Sequence, residues 1–341
     1  MNRFSWKWYL KDVKQDKPVK VFTTFSCGGG SSMGYKRAGF EVIGNVEIDP
    51  KMNALYCKNH HPKYNYCLDL RDFNKLEDIP DELIGIDILD GSPPCTTFST
   101  AGLRDKTWGK TKKFREGQAE QTLDDLFFVF LDTVEKLQPK IVIAENVTGL
   151  VTGKAKGYVN AIINRFHELG YEIQLFRLNA AEMDVPQARE RIFFIANNQG
   201  YPKLSLNFDY EPIMFGEVRS EKGKPLAGNS DFARLLLEQA TENDKKIEHV
   251  TKRLAGRTGA YYSQVIVQDD MACKTVTSGG NFYRFADRLL FTDSDFTGVQ
   301  SFPQDYDYNG NNVQYVCGMS VPPNMMANIA EEVYEQWLRQ Q

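Results

Sequence analysis

Four short segments hold residue types from which a reactive site can be built. Asp90-Gly91-Ser92-Pro93-Pro94-Cys95-Thr96-Thr97-Phe98-Ser99 sets a cysteine behind two prolines. The rings stiffen the loop and fix where Cys95 points, and a thiolate beside cations or a helix N-terminus is a nucleophile. The plainer alternative is a buried thiol in a rigid turn. Ala144-Glu145-Asn146-Val147 sets a carboxyl at the end of an apolar run. Burial can keep that group protonated as a general acid, whereas exposure makes it a helix cap or a solvated charge. Gln187-Ala188-Arg189-Glu190-Arg191 offers two guanidinium groups for a base carbonyl or a phosphate, or for surface ion pairs. The fourth segment is Phe25-Ser26-Cys27-Gly28-Gly29-Gly30-Ser31-Ser32-Met33-Gly34, with Glu47 about twenty residues on. Glycines let the backbone approach a ligand, and an acid at the next strand end can hold ribose hydroxyls. The pair points to a nucleoside cofactor and leaves NAD and S-adenosylmethionine both open.

These segments need a scaffold, and the first two hundred residues supply an α/β rhythm. Strands are expected over Val19–Thr24, Glu41–Glu47, Ile86–Leu89 and Lys140–Ala144, with a closing pair over Glu172–Leu178 and Arg191–Ala196. Helices are expected near Met33–Ala38, Pro50–Asn59 and Val159–Leu169. Leu123, Leu126, Phe127, Phe130, Leu131, Val134 and Leu137 recur at helical spacing, and Pro139 follows their helix. Each chemical segment therefore falls at a strand end, where open α/β sheets bind their ligands. After about Gly200 the alternation stops, and a polar, turn-rich stretch runs to 285. A last helix is expected over Asn324–Leu338 behind Pro322-Pro323. The fold class is thus a doubly wound, mostly parallel α/β sheet with a second, smaller domain. Residues 1–199, completed by 310–341, form the catalytic and cofactor domain; 200–285 form the small domain, and 286–309 connect them.

Composition is that of a soluble globule, 42% hydrophobic and 25% charged. No apolar run approaches the roughly 18 residues that cross a bilayer, and Met1–Lys20 lacks a signal-peptide core, so a cytoplasmic protein is expected. The six cysteines show no zinc-ligand spacing, so no metal is expected. Net charge is −4, yet Arg104, Lys106, Lys110, Lys112, Lys113 and Arg115 are opposed in their stretch only by Asp105. A second basic stretch holds Lys245, Lys246, Lys252, Arg253 and Arg257 against Glu248. Taken singly, each patch reads as a solvated face.

In this order and spacing the four segments resemble the DNA cytosine-5 methyltransferase family, from about Val21 to Ala330 apart from a module over 200–270. The resemblance implies a Rossmann-like methyltransferase domain with a small target-recognition domain, using S-adenosylmethionine on double-stranded DNA. It assigns Cys95 to attack C6 of a flipped cytosine, Glu145 to N3, and Arg191 to the cytosine carbonyl with Arg189 in support. Phe25 matches the aromatic that packs on adenine, Glu47 the ribose ligand, and Asp69 the acceptor of the adenine amino group. Ser26, Cys27, Gly28, Gly29, Gly30, Ile48, Leu70 and Pro93 complete the implied cofactor pocket. Gly318-Met319-Ser320-Val321-Pro322-Pro323 is similar to the last family motif, so Met319 and Ser320 return to that pocket. Ser99 and the Arg104–Arg115 stretch lie in the segment that closes over DNA, and Arg253 and Arg257 are candidate base readers.

Three departures stand out. Cys27 takes a usual Gly, Thr96 a common Gln, and Met319 a usual Asn, whose lost amide implies altered cofactor binding. A nicotinamide dehydrogenase would share the glycine turn but leave Pro-Cys and Glu-Asn-Val unexplained. A non-catalytic DNA-binding relative is opposed by the intact Cys95, Glu145 and Arg191. RNA methylation by the same chemistry is the nearer rival, and the separate recognition module favours DNA. One site per chain makes a monomer sufficient.

Overall fold

The computed structural model describes residues 4–94, 111–112, 121–122, 125–151, 156–226, 231–256 and 263–339. Cys95, Ser99, Arg104, Lys106, Lys110, Lys113, Arg115 and Arg257 lie outside the described residues, as does the side chain of Lys112.

In chain order the elements are β1 (Lys20–Thr24), α1 (Gly30–Arg37), β2 (Glu41–Val46), α2 (Pro50–His60), β3 (Tyr64–Tyr66), α3 (Leu70–Lys75) and β4 (Ile88–Gly91). A two-stranded pair, β5 (Thr111–Lys112) and β6 (Gln121–Thr122), precedes α4 (Leu126–Leu137) and β7 (Ile141–Val147). Then come α5 (Lys156–Glu168), β8 (Glu172–Asn179), β9 (Gln187–Ala188) and β10 (Glu190–Asn197). Short elements follow: α6 (Phe215–Val218), α7 (Asp231–Glu238), α8 (Ile247–Ala255), β11 (Gln264–Val267), β12 (Cys273–Lys274) and β13 (Asn281–Arg284). The chain closes with α9 (Asp293–Val299), α10 (Val313–Met319) and α11 (Pro323–Val333), which ends in a wider π-helical turn over Tyr334–Leu338.

The chain divides into two compact units. The larger comprises Val13–Asn179, Glu190–Asn207 and Met326–Gln341. Its seven-stranded sheet has the order β3-β2-β1-β4-β7-β10-β8, parallel through β7, with β10 antiparallel to both neighbours. This is the doubly wound, mostly parallel sheet that the alternation predicts. From β1 the chain turns one way to β2 and the other way to β4, so the loops after these strands flank a topological switch point.

One sheet face is apolar. Phe22, Leu89, Val142, Ala144 and Phe194 pack there with Phe127, Phe130, Leu131 and Val134 of α4 and Ile162 and Phe166 of α5. Helix α4 forms because its apolar residues fall on one side, and it stops where Gln138 turns left-handed before Pro139. Burial of Phe130, 0% exposed, contributes about 1.5–3 kcal/mol of transfer free energy. The end of the chain also packs in this unit: Lys17 Nζ pairs with Glu331 at 2.9 Å, and Trp337 donates to the Pro202 carbonyl.

The smaller unit comprises Met1–Asp12, Ala180–Arg189 and Phe208–Met325, so the two units interleave along the chain rather than meeting at single boundaries. Its ladders are the parallel pairs β11–β13 and β9–β12. Leu236, Leu237, Ile247, Val250, Ile266 and Tyr283 form one core, and Phe215 stacks on Phe291 with centroids 4.6 Å apart in another. Thr292 and Asp295 cap α9 reciprocally, which satisfies two of its orphan N–H groups.

Candidate active site

The glycine segment forms a turn in which every second residue is left-handed: Phe25 at φ 52°, Cys27 at 43° and Gly29 at 77°. Gly29 also has to be small. A Cβ there would sit 2.1 Å from Nε2 of His60, whose ring is buried and stacked on Tyr56 at 4.4 Å. Glu47 follows β2 and turns back onto the turn. One carboxylate oxygen accepts the Cys27 N–H at 2.7 Å and the other the Asp49 N–H at 2.9 Å. Burial pushes its pKa up to about 7, against the pull of those backbone donors. The Ile48 N–H also bonds to this carboxylate, so backbone donors fix its orientation and one acceptor position remains for a hydroxyl. Asn45 Nδ2 donates to Ser26 Oγ at 3.2 Å and steadies the turn from below.

The remaining expected cofactor residues of this unit line the same strand ends. Phe25 is half-buried against the apolar core, and Ser26, Cys27 and Ile48 are half-buried while Gly28, Gly29 and Gly30 are buried. The Glu47 N–H donates to the Tyr66 carbonyl, so the chain leaving β3 passes beside it. Asp69 caps α3 by accepting the Arg71 N–H at 2.8 Å, and Leu70 is buried. This donor set, an aromatic, a buried acid and a second acid beside a sharply turned backbone, suits a nucleoside.

The other two motifs meet at the same edge. In the parallel register Thr24 lies opposite Gly91, and Gly91 opposite Ala144, so the loops after β1, β4 and β7 leave together. Pro93 is buried, and its carbonyl accepts from Asn146 Nδ2 at 3.0 Å. Asn146 thus ties the Pro-Pro loop to the end of β7, a role its motif alone did not disclose. Antiparallel pairing sets Arg191 opposite Val147, and its Nε reaches Glu145 Oε1 at 2.7 Å. Both side chains are nearly buried, 14% and 12% exposed, so the pair is a desolvated ion pair rather than a surface one. Residues 46 positions apart are joined here by strand order, which spacing does not reveal.

Residues of the smaller unit behave differently. Arg189 is buried and donates to the carbonyls of Val276 and Gly318, each at 3.1 Å. Gln187 accepts the Val276 N–H at 2.8 Å and donates to Gln300 Oε1, which sits on a side chain that donates to the Ser320 carbonyl at 2.8 Å. The first half of Gln-x-Arg-x-Arg is therefore a brace within this unit, holding Val276 to the end of α10. Gly318 is required there, because a Cβ would lie 2.5 Å from the Ser278 nitrogen. Met319 ends α10 with 40% of its surface exposed, and Ser320 Oγ donates back to the Val316 carbonyl. Arg253 is held by Asp244 Oδ2 and the Gln239 carbonyl, both at 2.7 Å.

Among the described residues no group of His, Cys, Asp and Glu is arranged to hold a metal ion, and no helix is long and apolar enough to cross a membrane. Residues 19–335 match the family described as C-5 cytosine-specific DNA methylase. The chain is 27% identical over 352 residues to the Type II methyltransferase M.NgoPII of Neisseria gonorrhoeae, covering 93% of this chain and 95% of that protein. It is 28% identical over 348 residues to the Type II methyltransferase M.Sau96I of Staphylococcus aureus, covering 95% and 77%. Among solved structures, a mutant of Spodoptera frugiperda DNMT2 superposes with a TM-score of 0.64 at 16% identity, covering 93% and 99% of the two chains, a likeness of fold. The chain belongs to the C-5 cytosine-specific DNA methylase family and is a DNA cytosine-5 methyltransferase.

Proposed function

We propose that the enzyme methylates a cytosine flipped out of a short duplex DNA sequence, with Cys95 as covalent nucleophile and S-adenosylmethionine as cofactor. The observation that carries this reading is the Glu145–Arg191 pair, a carboxyl and a guanidinium 2.7 Å apart at the strand edge from which the Pro-Cys loop departs. A base inside a duplex is out of reach, so it must leave the stack. Glu145 then meets N3 and Arg191 the ring carbonyl, while the Arg189 brace supports the segment. The Cys95 thiolate bonds to C6, which breaks the ring conjugation and turns C5 into a nucleophilic, enamine-like carbon. Once C5 carries the methyl group, loss of its proton to water re-forms the double bond and expels the thiolate. S-adenosylmethionine, when bound, supplies the electrophilic methyl group that C5 takes. Phe25 would pack on its adenine, Glu47 hold its ribose, and Asp69 accept from its amino group.

Residues 200–285 are the proposed target-recognition segment, and the Arg104–Arg115 stretch the phosphate-neutralising one. In that case Lys112→Ala with Lys113→Ala lowers the salt slope of DNA binding. The function itself is tested by incubating the protein with S-adenosylmethionine and unmethylated plasmid, then mapping 5-methylcytosine, with Cys95→Ala as control. Methylation at one short motif, lost in the control, is expected. Methylation of tRNA and not of duplex DNA would replace the substrate in this reading, and equal methylation by Cys95→Ala would remove its mechanism.

A further inference from the structure

The proposed mechanism leaves one buried carboxyl at the site unused. Asp90, third residue of β4, is 3% exposed and lies five positions before Cys95. Its Oδ1 accepts the Tyr35 hydroxyl at 3.0 Å, and the Ser31 hydroxyl also bonds to it. Ser31 and Tyr35 are four residues apart on α1, so one carboxyl grips two successive turns of the helix that follows the glycine turn. Its backbone carbonyl accepts from Thr24 Oγ1 at 3.1 Å, and Thr24 is the last residue before that turn. Asp90 therefore holds the cofactor turn at both ends.

It also faces the proposed catalytic carboxyl. Asp90 is in register with Ile143, and side chains two apart on a strand share a face, so Asp90 and Glu145 project from one side of the sheet. The groups facing it are Ser31 and Tyr35 from α1, Thr23 from β1, Tyr56 from α2 and Glu145 from β7. None of these supplies a positive charge; Arg191 of β10 projects from the same face, where its guanidinium is paired with Glu145 at 2.7 Å.

We propose that Asp90 is a positioning residue for methyl transfer: it clamps the cofactor turn to the strand end that leads to Cys95, beside Glu145 on the same face. The inference rests on the role proposed above for Glu145. Burial pushes the Asp90 carboxyl up to about 8, with the charge of Glu145 adding to the rise and the Tyr35 and Ser31 hydroxyls opposing it. Above that pH the clamp carries a buried charge.

The test compares wild type with Asp90→Asn, which keeps the acceptor for Tyr35 and cannot ionise. Steady-state methylation of duplex DNA and calorimetric affinity for S-adenosylhomocysteine are measured from pH 6 to 9.5. The variant-to-wild-type ratio of kcat/KM should be flat at low pH and rise above pH 8, approaching tenfold per pH unit. Above pH 8, affinity for S-adenosylhomocysteine should weaken in the wild type and stay level in the variant. Ratios constant across the whole range would overturn the proposal, whatever their size, because a merely structural Asp90 shifts them uniformly. Tyr35→Phe guards against a variant that does not fold: loss of its donor should move the wild-type midpoint to higher pH, and an unmoved midpoint also refutes the clamp. A wild-type protein that binds S-adenosylhomocysteine but methylates no DNA would sink the proposed function, while the binding arm still decides Asp90.

Discussion

Substituting Gly29 with alanine tests whether the cofactor turn is held by steric necessity. Gly29 has φ 77°, and its added Cβ would lie 2.1 Å from His60 Nε2, 2.7 Å from Cδ2 and 2.9 Å from Cε1. The left-handed backbone costs an alanine about 1–2 kcal/mol. Overpacking adds about 1–3 kcal/mol, because the ring has nowhere to go. His60 is 5% exposed, stacks on Tyr56, and offers its carbonyl to Lys36 Nζ at 3.0 Å. Burial and the nearby Lys36 charge keep its imidazole neutral, so the clash is with an apolar-like plate and not with a mobile ion. The expected loss is therefore about 2–5 kcal/mol, or roughly 4–20 °C in Tm at about 2–4 °C per kcal/mol. Urea unfolding measures it, and a double-mutant cycle with His60→Ala separates the two causes. In the His60→Ala background the steric part vanishes and about 1–2 kcal/mol of backbone strain remains. A Gly29→Ala cost under about 0.5 kcal/mol, or one unchanged by His60→Ala, refutes the reasoning.

Glu47, Arg191 and Arg189 give three further outcomes. Ribose hydroxyls donate to an ionised carboxylate, and burial raises Glu47 to about 7, so affinity for S-adenosylhomocysteine should fall as pH drops below 7. Glu47→Gln should bind roughly 10–100-fold more weakly without that pH dependence, by calorimetry. Arg191→Lys should lower kcat by about 10²-fold or more, because the contact to Glu145 runs through the guanidinium Nε and a lysine lacks it; single-turnover methylation at near-wild-type rate would contradict this. Arg189→Ala should cost about 2–4 kcal/mol in urea unfolding, since the carbonyls of Val276 and Gly318 lose their donors.

Much of the larger unit was legible because its signals are local. The apolar spacing from Leu126 to Leu137 predicts α4, and the alternation of strands and helices predicts the parallel sheet around β1. Strand-end placement of Glu47, Pro93 and Glu145 follows from the same pattern. What stayed hidden depends on strand order and on side chains meeting across the fold. Nothing in the spacing sets His60 under Gly29, Asp90 against Tyr35, or Arg191 beside Glu145. Arg189 reads as a ligand-holding group, yet its guanidinium donates to the carbonyls of Val276 and Gly318. Arg253 suits a guanine edge by residue type, while its guanidinium lies on Asp244. The helices over 231–238 and 247–255 escaped notice because they are short and set among polar residues.

The two faces of the sheet differ at their strand ends. On one side α4 and α5 cover Phe22, Leu89, Val142 and Phe194, and burial there is almost wholly apolar. On the other, Val21, Ile88, Ile143 and Phe193 are buried as well, but toward the strand ends Thr23 and Asp90 meet Ser32 and Lys36 of α1 and Tyr56 and His60 of α2, a layer of polar groups largely inaccessible to water. Its charges are expensive: burial lowers Lys36 to about 8 and raises Glu47 to about 7, each on the order of 3 kcal/mol against the exposed group. Set against a typical domain stability of about 5–15 kcal/mol, such a layer is tolerable only with a strong apolar face behind it. A fold optimised for stability alone would carry the apolar run of Val21, Ile88, Ile143 and Phe193 through to the strand ends. The polar layer lies under the glycine turn and beside Glu145, where the proposed function sets the cofactor and the flipped base, and that role accounts for its cost.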